Sequence, residues 1–139
     1  MRDLSNLIAR VRSATGPDRR LDAEISCAFY FPDLRPAEPD DFSGAYGYTP
    51  GNIKVKHGFL MAESFTSSLD DAVALCERVL PGWHWSIRKK SSNPDFFEGM
   101  VTQAAWSYAA DRFKASHDSA PLALTLAVLL AKQEIAPHD

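Results

Sequence analysis

The sequence has little with which to staple, coordinate or anchor a fold. It holds 2 cysteines and 4 histidines in 139 residues. Cys27 and Cys76 lie far apart, which is no disulfide framework, and no Cys-x-x-Cys occurs. His57, His84, His117 and His138 are scattered, without a His-x-x-x-His. The spacing predicts no metal site and no cofactor, and two cysteines that behave as buried thiols. Long hydrophobic runs are also missing: the best, 120–131, is too short to span a bilayer and contains Thr125. The opening Met1-Arg2-Asp3-Leu4 lacks the apolar stretch of a signal peptide, so the expected location is the cytoplasm, with no membrane partner. Neither charge sign dominates. With 15 basic against 18 acidic residues and a pI near 5.8, no global field favours a phosphate backbone, which argues against a nucleic-acid partner.

Catalytic motifs are lacking too. No Gly-x-Ser-x-Gly elbow appears, and Gly16-Pro17 cannot cradle a phosphate because proline removes a backbone donor. The prediction is a non-catalytic protein, with no catalytic residue to name. What the chain does have is core material. Hydrophobic residues make up 45% of it, and its length suits one domain spanning 1–139.

Periodicity locates the helices. Leu4, Leu7, Ile8 and Val11 form one stripe, capped by Asp3 and ended by Thr15-Gly16-Pro17. A second helix is predicted from about Pro17, with Leu21, Ile25, Ala28 and Phe29 as its stripe and Pro32 as its end. The run 18–22 within it reads as a helix-start charge cluster. Ser68 with Asp70 and Asp71 is a helix start, and Leu69, Ala72, Val73, Cys76, Val79 and Leu80 keep the helical period up to Pro81-Gly82. Ser119 caps a last helix that is apolar on nearly every side from Leu122 to Ala131. Such a helix needs a sheet on one side and a second surface, another helix or a second subunit, on the other.

Strands are predicted at 59–65, at 83–88, and at about 96–104 and 111–116. In 83–88, Trp83, Trp85 and Ile87 alternate with His84, Ser86 and Arg88, as in a half-buried strand. For 96–113 a helical stripe competes with the strand reading. The fold class is therefore α/β (α+β): a compact α/β/α sandwich whose small, largely antiparallel sheet is flanked by about four helices. Residues 32–58 stand apart, because proline or glycine fills eight of these 27 positions. No helix or central strand is expected to persist there, and the segment is expected to be a loop insertion, dispensable for folding.

Three blocks carry a resemblance: LIARVRSATGPDRRLDAEI (7–25), FTSSLDDAVALCERVLPGWHWSI (65–87) and SAPLALTLAVLLAK (119–132). In this order they resemble the phage ABA sandwich domain, a family of small proteins from tailed phages and prophages. The resemblance implies an α/β/α sandwich and, since the family has no assigned biochemical activity, no catalytic residue. Arg20 stands where the family usually has an acidic residue, and Pro121 lies one position later than the usual Thr-Pro helix start.

Candidate binding residues are aromatic. Tyr46 and Tyr48 either fold the 32–58 loop over the core or present a recognition surface. Trp83 and Trp85 either fill the core under the helices or form a stacking platform with Arg88 nearby, although Arg88 alternates to the other face. Arg88-Lys89-Lys90 reads as a solvated strand tip. Together these features, with the resemblance, predict a phage-type accessory protein that binds a host protein, a phage protein or a second copy of itself. The alternative is a small-ligand or nucleotide binder with an aromatic pocket. Because no histidine or cysteine has ligand spacing, a chelator should leave the thermal unfolding midpoint unchanged. A fall of several degrees would contradict the spacing argument.

Overall fold

A computed structural model describes residues 3–42, 49–103 and 112–135. Among them, four helices and two three-stranded antiparallel sheets form an α+β fold in which helices pack on sheets. Helix α1 (Ser5–Ser13) buries Ile8 and Val11, with Leu4 buried just before it. Leu4 occupies the cap position, while Asp3 accepts hydrogen bonds from the Ser5 amide (2.9 Å) and hydroxyl (2.7 Å). Helix α2 (Arg19–Phe29) begins later than expected. Pro17 has no side-chain acceptor to offer the first turn. Asp18 does: it is the N-cap and accepts from the Leu21 amide at 3.0 Å.

Helix α3 (Leu69–Val79) starts as the sequence indicates, with the Ser68 hydroxyl accepting from the Asp71 amide at 3.2 Å. Helix α4 (Ala120–Ile135) follows Ser119, whose hydroxyl accepts from the Leu122 amide at 3.4 Å. Pro121 lies in the first turn, where no intrahelical N–H is needed.

The first sheet comprises β1 (Arg35–Pro36), β2 (Asn52–Val55) and β3 (Gly58–Met61), in that order. The expectation that no central strand persists within 32–58 is thus corrected: β2 is central, and its Ile53 is fully buried against Ala23, Cys27 and Ala62. Among the described residues, Pro50 and Gly51 come just before β2 and Gly58 opens β3, so none of them interrupts β2. Gly51 has a φ of 95° immediately before β2. With two of the sheet's strands inside it, the segment supplies the buried face under α2, which is at odds with its being dispensable.

The second sheet has β4 (His84–Lys89), β5 (Phe97–Thr102) and β6 (Arg112–His117), with β5 in the middle. The strand reading of 96–113 therefore prevails over the helical one within the described residues; positions 104 and 111 of the expected spans lie outside them. Trp85 faces Val101, and Val101 faces Phe113, so these residues share one side with Gly99 and Ala115. That side receives α4.

Helix α4 is the centre of the main core. It packs most extensively on β5 and β6, and its far side meets α3 and α1. Every residue from Leu122 to Leu129 is buried. The second surface that an all-round apolar helix requires is thus supplied by helices of the same chain. Helix and sheet meet at Gly99, where an added Cβ would lie 2.6 Å from the Ala123 carbonyl oxygen and 2.8 Å from the Leu124 nitrogen. These neighbours are helix backbone and cannot rotate away. Gly99→Ala should therefore force α4 off the sheet, at a cost of about 1–3 kcal/mol or more. Leu126→Ala should cost about 2–5 kcal/mol. Urea unfolding checks both, and a Gly99→Ala variant of unchanged stability would show that the helix does not sit where described.

Candidate functional site

The structure scatters the residues singled out from sequence. Tyr46 and Tyr48 lie outside the described residues. Trp83 is half-buried, packed on the core with its ring centroid 6.1 Å from that of Phe113. Trp85 is 40% exposed, on an edge strand, β4, that α4 barely reaches. Arg88 is on the opposite side of the sheet and pairs with Glu98 at 2.8 Å. It lines a notch of about 260 Å³ with Lys89, Lys90, Ser91 and Ser92, at the tip of the β4–β5 hairpin. No shared tryptophan–arginine platform results.

A larger cleft, about 800 Å³, opens at the α1–α2 turn. Arg10, Arg19, Arg20, Thr15 and Thr49 line it, a set that invites an anion. Its charges are already spent within the protein. Arg10 pairs with Asp18 and Glu24, Arg20 with Glu38 (2.7 Å) and Glu24, and Arg19 with Asp22 (2.8 Å). Three guanidinium groups meet four carboxylates, which leaves no surplus positive charge for a phosphate.

The Arg19–Asp22 pair is a structural staple. Asp22 is fully buried on α2; its Oδ1 accepts from the Thr66 amide (2.8 Å) and its Oδ2 from Arg19 (2.8 Å). Arg19 also donates to the Ala62 carbonyl (2.7 Å), the Glu63 carbonyl (3.1 Å) and the Ser64 hydroxyl (3.0 Å). Gly51 admits the guanidinium, since a Cβ there would be 2.7 Å from its Nε. Thr66 returns the connection by accepting from the Asp18 amide at 2.8 Å. Sequence reasoning saw only local helix pairing in 18–22. The overlooked signal is that Asp22 and Ser26, both buried, are four residues apart beside the stripe of Leu21 and Ile25.

Neither cysteine is placed to react. Cys27 and Cys76 are buried and outside any disulfide, and burial pushes the Cys76 thiol up to about 11, away from the thiolate. Among the described residues, no group of three or more His, Cys, Asp or Glu is placed to hold a metal ion.

What remains is an exposed strand edge. β3 is the outer strand of its sheet, and Phe59, Leu60 and Met61 are 38, 40 and 76% exposed. Phe59 and Met61 project to the side of the sheet away from α2, with Lys54; Leu60 shares the other side with Ile53. Phe42 stacks on Phe59 at 4.5 Å with an interplanar angle of 3°, and Lys54 lies over the Phe59 ring at 5.1 Å. The sequence signal was three consecutive apolar residues in one strand, which makes both faces apolar. An unprotected edge of this kind is a template for another strand.

Burial pushes the Asp22 carboxyl above its ordinary value, against the opposing pull of the Thr66 and Arg19 hydrogen bonds. The folded protein then binds this proton more tightly than the unfolded chain does. Stability from this group should fall as pH rises from about 3.8 through the raised folded value. Asp22→Asn should remove that part of the pH dependence in urea titrations. Asp22→Ala should cost about 1–3 kcal/mol from the stranded Thr66 amide alone. Equal pH profiles for wild type and Asp22→Asn would refute the assignment. As to relatives, no family model, curated protein or solved structure matches the chain.

Proposed function

We propose that this chain is a non-catalytic accessory protein of phage or prophage type that works by binding protein, and that it binds an extended segment along the outer edge of β3. The single observation that carries the reading is the edge itself: Phe59, Leu60 and Met61 are exposed, and among the described residues no strand pairs beyond them. Main-chain hydrogen bonds to such an edge supply affinity, and alternating side chains supply selectivity. The phage assignment rests on the three-block resemblance, and a host protein or a phage protein is the expected class of partner. The cytoplasm is the proposed location. No described helix is long and apolar enough to cross a membrane.

The small-ligand alternative has less support. None of the three clefts at the α1–α2 turn, beside Leu34 and Arg35, or at the β4–β5 tip is lined by Trp83 or Trp85. The arginines of the largest of these three are neutralised.

Selection of peptides from a random library tests the reading. Enriched peptides should slow amide hydrogen exchange at Phe59 and Met61, and should lose binding to Met61→Lys, which places a charge on the exposed edge. Enriched peptides that leave these amides unprotected and bind the variant equally well would overturn it.

A further inference from the structure

The hydrogen-bond parity of β3 determines which partner strand fits it. Ala62 donates its amide to the Gly51 carbonyl at 2.8 Å, so Gly51 and Ala62 are a hydrogen-bonded pair. Along an antiparallel ladder, bonded and non-bonded pairs alternate. Leu60 is therefore bonded to Ile53, and the main-chain groups of Phe59 and Met61 point away from β2. The Asn52 carbonyl fits this alternation, because it turns to β1 and accepts from the Ala37 amide at 2.9 Å. The outer edge thus offers the N–H and C=O of Phe59 and Met61 as a set.

We infer that this edge pairs with β3 of a second copy, antiparallel, about a two-fold axis through Leu60. The inference rests on the edge-binding reading above and names its occupant. Only residues with outward groups can form the bonded pairs, so the two-fold axis must coincide with Phe59, Leu60 or Met61. An axis at Phe59 would match Met61 with His57, which lies in the turn before β3. An axis at Met61 would match Phe59 with Glu63, whose carbonyl is already held by Arg19. The Leu60 axis alone pairs strand residue with strand residue, Phe59 with Met61 of the second copy and the reverse.

That register also matches the side chains. Phe59 and Met61 project to the same side, so each ring meets a thioether across the junction, a favourable contact. On the other side Leu60 meets Leu60 in a non-bonded pair, where side chains approach more closely. At either end His57 comes opposite Glu63 of the second copy, with Lys56 one position further along, all three exposed, so that a lysine lies near a glutamate twice. The edge carries no lysine, proline or bulge within 58–61 to prevent pairing. The contact is isologous and closes on itself, joining two three-stranded sheets into one.

Sedimentation velocity over a concentration series tests the association, and cysteine cross-linking tests the register. The wild type should shift from monomer to dimer, and Met61→Pro should remain monomeric. Its missing N–H is an outward one, so the β2–β3 bonds survive and the unfolding transition is retained. Under mild oxidation Leu60→Cys should cross-link to itself at least about tenfold faster than Phe59→Cys or Met61→Cys, whose counterparts lie two positions along the ladder. Buried Cys27 and Cys76 contribute no background. A wild type that stays monomeric at hundreds of micromolar overturns self-pairing, while peptide protection of Phe59 and Met61 would still stand as a separate result. Equal cross-linking at all three positions overturns the register. Dimerisation undiminished in Met61→Pro overturns the edge as its site.

Discussion

The fold depends on one close approach, where the α4 backbone lies on β5 at Gly99. No side chain fits between the glycine and the Ala123 carbonyl, so the helix sits low on the middle strand of its sheet. That depth lets β5 and β6 bury the leucines on one side of α4 while α1 and α3 close over the other. It also accounts for the tryptophans. A helix centred on β5 and β6 leaves the edge strand β4 poorly covered, so Trp83 gains a place beside Phe113 and Trp85 does not.

A second, polar constraint connects this core to the smaller sheet. The segment 62–66 that follows β3 is held from three directions. Arg19 and Asp22 bind it from α2, Asp71 accepts from the Ser64 amide from α3 at 2.8 Å, and Thr125 donates to the Phe65 carbonyl from α4 at 3.2 Å. Irregular backbone passing through an interior needs such partners for its amides and carbonyls. Thr125, the one polar interruption in the α4 apolar run, and Asp22 both serve that need. With the segment pinned, β3 ends in a fixed place with its outer edge turned away from β2.

The candidate site was legible only in part. A strand starting near Phe59 followed from composition, but it ends at Met61 and not at Phe65, because 62–66 is drawn into side-chain contacts from three helices; its exposure did not follow. Phe59-Leu60-Met61 could equally describe a strand buried on both faces, and sheet order alone makes β3 an outer strand. The arginines near 18–22 suggested local pairing, which Arg19 with Asp22 and Arg20 with Glu24 do form. Their long-range carbonyl contacts had no sequence signature, because main-chain acceptors are present at every residue. Trp83 and Trp85 were indistinguishable by alternation. Their burial diverges because it depends on where α4 ends up, far away in the chain.

By itself the sequence determined the local elements: the Ser68 and Ser119 helix starts, the all-round apolar α4, the alternating strand at 83–88 and the returning strands on either side of 104–111. Caps, periods and turn residues act over a few positions, so they can be read from a few positions. Tertiary structure decided the rest. It divided the strands between two sheets, made β2 central within a stretch rich in proline and glycine, covered the far side of α4 with α1 and α3, and left β3 at an edge. Each of these outcomes depends on which surfaces meet across long sequence separations. Local periodicity specifies that a face is apolar, but only packing specifies what covers it.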